Sequence, residues 1–273
     1  MAWALVRKIK MAEKEIMNGG LRIVGLSAAY GGTPALSGID LTVGPGKTVA
    51  LIGRSGVGKS TLFRVMSALQ EASAGDACLN GSQYMVGGKL LMPAWQIRRR
   101  VGLVFQNYNL FPNMTALRNV TLALERSRDM PRSQAEALAR SVASFLGVEH
   151  LLPRYPDGLS GGQAQRIALL RALVLSPDVL LLDEVTSSVD PETSSQMVEA
   201  IIKIREAEAQ VASGEKAARM SIILATHLFR FAESFADRIA FMSGGKIVED
   251  HEAAEFASKA SHEDATRYLR FAT

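Results

Sequence analysis

The stretch GRSGVGKS, at Gly53–Ser60, follows a run rich in β-branched residues, IDLTVGPGKTVALIG, and precedes LFRVMSALQ, whose apolar residues recur at helical spacing. A strand, a glycine-rich loop and a helix in this order open a βα unit. The loop satisfies the pattern G-x-x-x-x-G-K-[ST], in which glycines let successive backbone N–H groups point at a phosphate. The sequence therefore predicts an α/β fold whose first crossover carries a phosphate-binding loop.

Within this loop we expect Lys59 to reach the terminal phosphates of a nucleotide and the Ser60 hydroxyl to ligate Mg²⁺. The alternative is a glycine-rich turn with an exposed lysine, and the flanking strand and helix argue against it. The predicted phosphate-contacting residues are Gly53, Arg54, Ser55, Gly56, Val57, Gly58, Lys59, Ser60 and Thr61.

A second strand, DVLLLDE at Asp178–Glu184, is a continuous apolar run that ends in two acids. Such runs are typical of strands buried on both faces of a parallel sheet. A carboxylate at that position needs a charged partner, and we predict that Asp183 holds Mg²⁺ together with Ser60. Glu184 is then placed beside the γ-phosphate to orient and polarise the attacking water. The alternative is an acidic pair in a loop or at a helix start.

Two further apolar strands, VGLVF and SIILAT, are followed by Gln106 and His227. Since ligands bind at the carboxyl edge of open α/β sheets, we predict catalytic roles for both residues. The Gln106 amide can contact Mg²⁺ or the attacking water. Tyr30, one hairpin before the phosphate loop, is predicted either to stack on adenine or to pack in the core.

The segment LSGGQ, Leu159–Gln163, starts a helical run with two adjacent glycines, although each glycine costs roughly 1 kcal/mol inside a helix. Either Ser160 caps an ordinary loop, or bare N–H groups at the helix N-terminus bind an anion. With a phosphate loop and two acids already assigned, we interpret Ser160, Gly161, Gly162 and Gln163 as a second nucleotide-binding element. It is predicted to close over the γ-phosphate of a nucleotide held by another copy of the chain.

The composition limits the class of protein. The 273 residues are 48% hydrophobic, which suits one large domain or a domain with a subdomain. The net charge of +4 is compatible with nucleotide binding or an anionic membrane surface and identifies neither. Cys78 is the single cysteine, so an intrachain disulfide framework and a cysteine zinc site are excluded, and a reducing compartment is expected. No uncharged apolar run reaches the roughly 18 residues that a membrane span requires.

Taken together, these motifs resemble those of the ATP-binding cassette (ABC) ATPases, from about Leu21 onward. GRSGVGKST resembles the Walker A loop, VLLLDE the Walker B strand and LSGGQ the family signature. Gln106 falls at the Q-loop, Ser187–Asp190 at the D-loop, His227 at the switch histidine and Tyr30 at the adenine-stacking aromatic. Two longer segments are similar in sequence to the polar amino acid uptake branch of this family, namely VGLVFQNYNLFPNMTALRNVTLAL and FADRIAFMSGGKIVE.

The resemblance implies a RecA-like P-loop core with an antiparallel β subdomain and an inserted helical subdomain at about 107–165, all within residues 21–257. It implies ATP hydrolysis with ATP and Mg²⁺ as cofactors, and a head-to-tail dimer of two cassettes. The partners would be separate transmembrane permease subunits and, indirectly, a substrate-binding protein, with no nucleic acid. The location would be peripheral, on the cytoplasmic face of the plasma membrane. The alternatives are an export or lipoprotein-release ATPase and a non-transport ABC ATPase.

The chain departs from the family pattern at three places. Val185 stands where proline usually follows the catalytic glutamate, Leu228 stands where this branch often has glutamate, and the segment 207–220 is longer than usual. Residues 1–20 are expected to be an extension, an amphipathic helix or the product of an early start codon, and 258–273 a short tail. We also predict an exposed apolar patch for permease docking, made by Tyr108, Leu110, Phe111 and Pro112; the alternative is that Phe111 packs under the subdomain.

Overall fold

The computed structural model describes residues 19–185, 198–202 and 220–272, and the strands in these ranges form two sheets. The strands are β1 (Leu21–Tyr30), β2 (Thr33–Val43), β3 (Thr48–Ile52), β4 (Ala74–Leu79), β5 (Ser82–Val86), β6 (Lys89–Leu90), β7 (Val101–Val104), β8 (Val179–Asp183), β9 (Ser221–Thr226), β10 (Arg238–Ser243) and β11 (Lys246–Glu252). The helices are α1 (Lys59–Met66), α2 (Ala94–Arg100), α3 (Ala116–Arg128), α4 (Arg132–Phe145), α5 (Gly161–Leu173), α6 (Phe229–Phe235), α7 (Ala253–Lys259) and α8 (Glu263–Ala272).

The first sheet is antiparallel, in the order β2-β1-β4-β5-β6. The run 39–53, continuous in the sequence, is divided at 44–47 into β2 and β3, which belong to different sheets. A Gly-Pro-Gly turn makes this division possible, because proline donates no hydrogen bond to a ladder and glycine favours a turn.

The second sheet has the order β11-β10-β3-β9-β8-β7 and is parallel except for β11. Every residue of β3, β8 and β9 is buried, which confirms that the apolar runs are two-sided core strands. The strands β10 and β11 form a hairpin, with β10 ending at Ser243 and β11 beginning at Lys246. Lys47, which leads into β3, forms an ion pair with Asp237, which leads into β10, at 2.8 Å. Because β10, β3, β9, β8 and β7 run parallel, their carboxyl ends meet at one edge of the sheet.

Alternate residues of β8 pack into different cores, as the period of two requires. Val179 and Leu181 face α1 and the antiparallel sheet, whereas Leu180 and Leu182 face the helical layer of α3, α4 and α5. A third apolar cluster joins β3 and β10 to α6, α7 and α8. In the described residues the parallel sheet is thus covered on both faces, and ligands of such sheets bind at the carboxyl edge.

Two predicted boundaries fall inside helices. The limit of the helical subdomain at 165 lies within α5, which continues to Leu173 in the same apolar core as α3 and α4. The limit at 257 lies within α7, and the predicted tail contains α8, whose Ala265 is buried against the sheet. Residues 198–202 are helical. The predicted D-loop, Ser187–Asp190, and most of the long segment 207–220 lie outside the described residues. None of the helices in the described ranges is long and apolar enough to cross a membrane.

Candidate nucleotide site

The phosphate loop is shaped by two glycines that other residues cannot replace. Gly58 caps the N-terminus of α1 with φ of 107°, and a Cβ there would lie 2.7 Å from the carbonyl oxygen of Ala35. Gly53 has φ of 151°, and its Cβ would lie 2.5 Å from the carbonyl oxygen of Met242. Since both contacts are with backbone, any side chain would push the loop away from β2 and β10. The loop is therefore held between one strand of each sheet.

Lys59 points into the centre of this loop although it is buried. Its ammonium donates to the carbonyl oxygens of Gly53 at 2.8 Å and Arg54 at 3.2 Å, and it lies 3.5 Å from a carboxylate oxygen of Glu184. A lysine ammonium has three donors, so two are used by the loop and the third faces the acid. The geometry places a positive charge between the phosphate loop and the end of β8.

Asp183 ends β8 and accepts a hydrogen bond of 3.1 Å from the Ser60 hydroxyl. Burial raises the pKa of this carboxyl, the hydrogen bond from Ser60 opposes the shift, and the negative charge of Glu184 raises the pKa further. A carboxylate with this environment is stabilised by a nearby cation. The hydroxyl and the carboxylate are both hard oxygen ligands, so the pair fits Mg²⁺, which proteins bind through one or two carboxylates together with phosphate oxygens.

Glu184 occupies an unusual backbone conformation, with φ of 48°. Its N–H donates to the carbonyl oxygen of Ala225 at 3.0 Å, which extends the β8–β9 ladder by one residue. A non-glycine residue in the left-handed region costs on the order of 1–3 kcal/mol and is common at functional sites. The carboxylate is partly exposed, so it contacts both Lys59 and solvent. Its position suits a group that acts on a water molecule.

Three other predicted residues lie at or near strand ends and are exposed. His227 follows β9, and Gln106 lies two residues beyond β7. Tyr30 ends β1 opposite Thr33 and is 66% exposed, so its ring does not pack in the core. Thr33 is two residues from Ala35, whose carbonyl contacts Gly58, so Tyr30 belongs to the hairpin that flanks the phosphate loop.

The LSGGQ segment satisfies its own polar groups. The Ser160 hydroxyl accepts from the Gln163 N–H at 3.3 Å, and the Ser160 N–H donates to the Gln163 side-chain oxygen at 3.0 Å. This capping box fixes the start of α5. Ser160 and Gly161 are exposed. The capping interpretation is therefore correct for the single chain, and it leaves the first turn of α5 accessible to a second molecule.

Two residues with structural roles at this site were not anticipated. Arg171 of α5 donates to the carbonyl oxygens of Asn109 at 2.7 Å and Tyr108 at 2.9 Å, and both acceptor residues have positive φ. Burial lowers the pKa of its guanidinium. Asn119 of α3 is buried and bonds to both the N–H and the carbonyl oxygen of Phe111. A lone arginine inside the apolar run IALLRALVLS was a signal that a partner had to exist.

The assignment to a family follows from comparison with known proteins. A profile of the ABC transporter family matches residues 36–187, a range that contains the phosphate loop, the LSGGQ segment and the two acids at the end of β8. The chain belongs to the ABC transporter family. The P-loop NTPase fold predicted from the motifs is confirmed, and the protein is an ATP-hydrolysing cassette.

Full-length relatives of this cassette are described as amino-acid transport proteins. The glutamate transport ATP-binding protein GluA of Corynebacterium glutamicum is 37% identical over 91% of this chain and 97% of its own length. The general L-amino acid transport ATP-binding protein AapP of Rhizobium johnstonii is 34% identical over 98% of both chains. The glutamine transport ATP-binding protein GlnQ of Geobacillus stearothermophilus is 36% identical over 88% of this chain and 93% of its own.

Solved cassettes have the same architecture. The dimeric structure of a post-hydrolysis state of an ATP-binding cassette bound to ADP and Pi has a TM-score of 0.73 and 26% identity, over 85% of this chain and 98% of that one. A second cassette, cbiO1 from Clostridium perfringens, described as part of an ABC transporter complex, has a TM-score of 0.73 and 25% identity over 93% of this chain. The two-sheet architecture of this cassette is therefore that of the family.

Proposed function

We propose that this cassette powers the import of a polar amino acid through separate membrane permease subunits. It would act as one half of a head-to-tail dimer on the cytoplasmic face of the membrane, with a substrate-binding protein delivering the cargo. The observation that carries the proposal is the cluster in which Lys59 faces Glu184 while Ser60 holds Asp183, at the mouth of a phosphate loop. The names of the full-length relatives support the cargo class.

The residues of the cluster take separate roles in ATP hydrolysis. Residues 53–61 cradle the phosphates, and Lys59 supplies the positive charge beside the β- and γ-phosphates. Ser60 and Asp183 would hold Mg²⁺, which when bound offsets phosphate charge. Tyr30 offers an exposed ring to the adenine, and Gln106 and His227 contribute polar groups at the same sheet edge. These roles follow from where the side chains lie, which is near the carboxyl edge of the parallel sheet or, for Tyr30, in the hairpin that flanks the phosphate loop.

Glu184 orients and polarises the attacking water. In the structure, the Lys59 ammonium contacts the Glu184 carboxylate and two carbonyl oxygens of the phosphate loop. An incoming phosphate competes for the third donor of Lys59, because charge-assisted bonds to phosphate are strong. The Glu184 carboxylate then accepts from water instead, and its partly exposed position allows this. The exchange couples nucleotide entry to activation of the water.

The exposed first turn of α5 supports the dimer. The helix begins at Gly161 with accessible backbone, and helix N-termini attract phosphate oxygens. Ser160–Gln163 of a second copy would therefore bind the γ-phosphate held by Lys59 of the first. Each ATP then bridges two chains, which ties closure of the dimer to nucleotide binding.

Ser160→Arg is expected to spare ATP binding by the single chain and to prevent ATP-dependent dimerisation, because the larger side chain fills the space that the γ-phosphate needs. Nucleotide titration measures the first property, and light scattering in ATP measures the second. Ser133→Arg, at an exposed serine in the first turn of α4, is the matched control and should dimerise normally. Loss of single-chain ATP binding in Ser160→Arg would contradict the shared site.

The segment after Gln106 supports a coupling surface. Phe111 is 48% exposed and its neighbour Pro112 is exposed, whereas Tyr108 and Leu110 pack against the helical core. The predicted four-residue patch is therefore smaller, because only two of its members face solvent. Asn119 fixes the backbone at Phe111, and Arg171 joins Tyr108 and Asn109 to α5. A permease segment docked on Phe111 would thus be mechanically connected to both Gln106 and the LSGGQ helix.

Phe111→Asp is expected to leave the ATPase activity of the isolated cassette largely intact and to abolish its stimulation by the permease, because a charge at the docking surface is desolvated on binding. The assay is ATP turnover with the cognate permease in proteoliposomes. Phe145→Asp is the control, since Phe145 is 66% exposed on α4, outside this segment.

Unchanged stimulation in Phe111→Asp would refute the docking surface. The same proteoliposomes test the cargo: a polar amino acid with its binding protein should stimulate turnover. Stimulation by a sugar, a metal ion or a lipid alone would refute the proposed substrate class.

A further inference from the structure

Tyr268 of α8 contacts the loop that carries His227. Its hydroxyl donates a hydrogen bond to the backbone carbonyl oxygen of His227. The Tyr268 ring packs edge-on against Phe241 of β10, with ring centroids 5.4 Å apart and an interplanar angle of 63°. Burial raises the pKa of Tyr268 to about 12, so the hydroxyl remains a donor at neutral pH. A C-terminal helix is therefore bonded directly to the residue at the end of β9.

The position of α8 is fixed by polar contacts that do not involve His227. Glu249 of β11 accepts from the N–H groups of Ser261 and His262, just before the helix, and from the His251 ring. Burial opposes ionisation of Glu249, but these hydrogen bonds outweigh it and hold its pKa at about 2. Because the carboxylate stays ionised, the helix start remains anchored to the sheet at neutral pH.

The same helix also contacts the strand that flanks the phosphate loop. Asp264, in the first turn of α8, accepts from the hydroxyl of Ser243, the last residue of β10. The preceding residue, Met242, has the carbonyl that limits Gly53 in the phosphate loop. One turn of α8 thus lies beside the strand that flanks the phosphate loop, and Tyr268, one turn later, reaches His227.

Two hydrogen bonds restrain the peptide group that joins His227 to Leu228. The next N–H, that of Leu228, donates to the buried Thr226 hydroxyl at 3.1 Å, while the carbonyl of His227 accepts from Tyr268. The imidazole itself is exposed at the sheet edge that carries Glu184 and Lys59. Its direction of approach to a nucleotide therefore depends on a backbone segment that α8 helps to fix.

We propose that Tyr268 is a positioning residue for His227, and that α8 sets the orientation of the histidine relative to the phosphate loop. The proposal rests on the role in hydrolysis given to His227 above. Tyr268 acts by restricting the peptide from which the imidazole projects, so its loss costs productive orientation rather than ATP affinity.

Tyr268→Phe tests the proposal, because it keeps the ring against Phe241 and removes the donor. We expect kcat to fall about 3- to 10-fold, the scale of one net hydrogen bond, with little change in KM for ATP or in melting temperature. In NMR spectra, the His227 imidazole signals should shift and broaden, whereas those of His150, in the helical layer, should not. Tyr155→Phe, at an exposed tyrosine, is the matched control. Unchanged kcat or unchanged His227 signals in Tyr268→Phe would overturn the proposal.

A second comparison separates this proposal from the one on which it rests. His227→Ala should lower turnover strongly, and adding Tyr268→Phe should then lower it no further, since residues that act as one unit are not additive. A further loss in the double variant would mean that Tyr268 acts at another place in the molecule. This result would refute the positioning role of Tyr268 and leave the role of His227 intact. Near-normal turnover in His227→Ala refutes the role of the histidine itself.

Discussion

Glu184→Gln is expected to lower ATP turnover roughly 10²- to 10⁴-fold while ATP binding persists. The amide preserves the size of the side chain and its left-handed backbone, but it is a much weaker base towards water than the carboxylate. The ion pair with Lys59 is lost as well, which leaves the ammonium free to bind phosphate. Turnover in Mg-ATP and equilibrium nucleotide binding measure the two effects.

The same variant should accumulate as a dimer in Mg-ATP. A nucleotide that bridges two chains stabilises the closed state for as long as it is not hydrolysed. Light scattering with and without Mg-ATP gives the mass. Glu233→Gln, at an exposed glutamate of α6, should behave as the unmodified chain. Near-normal turnover in Glu184→Gln would rule out Glu184 as the residue that activates the water.

Lys59→Ala is expected to weaken ATP binding about 10- to 150-fold, because a hydrogen bond to a charged group contributes about 1.5–3 kcal/mol. The effect should be at the upper end of this range, since Asp183 and Glu184 then face the phosphates without the nearby ammonium. Isothermal titration calorimetry with ATP measures the dissociation constant. Lys246→Ala, at an exposed lysine that begins β11, is the control for lost charge.

Lys59 also supports the loop through Gly53 and Arg54, so the alanine variant removes two internal hydrogen bonds. Lys59→Met also lacks the donor but keeps most of the buried side-chain volume, so it separates the loss of the ammonium from the loss of packing. If Lys59→Met binds ATP as tightly as the unmodified chain, the ammonium does not contact phosphate and the loop assignment fails.

The parts of the structure that could be predicted from the sequence have local signals. The phosphate loop depends on glycines at fixed spacing, and β8 and β9 are apolar runs too long to be exposed. By contrast, β4, AGDACL, and β5, SQYMV, are short and mixed in polarity, so their pairing depends on neighbours that the local pattern does not reveal. The helix α2, AWQIRRR, is also short and mixed in polarity, so the local pattern does not predict it.

Long-range polar contacts were harder still to predict. Arg171 bonds to backbone carbonyls about sixty positions earlier, and a carbonyl acceptor leaves no mark in the residue type. Tyr108 and Leu110 neighbour a proline turn and are predicted to be exposed, but both pack against the helical core. The hydrogen bond from Arg171 to the Tyr108 carbonyl oxygen holds this segment against α5. The left-handed backbone of Glu184 has no sequence signal, since glutamate rarely adopts it.

The position of β3 between β9 and β10 has a consequence for the folding of the protein during its synthesis on the ribosome. Lys47, at the start of β3, pairs with Asp237, and 190 residues of synthesis separate them. At about 5–20 residues per second, this delay lasts roughly 10–40 seconds. The hairpin of β1 and β2 can form soon after it emerges, but the strand that carries the phosphate loop must wait for both of its neighbours. The phosphate loop of a nascent cassette therefore reaches its final position only after β10 has been synthesised.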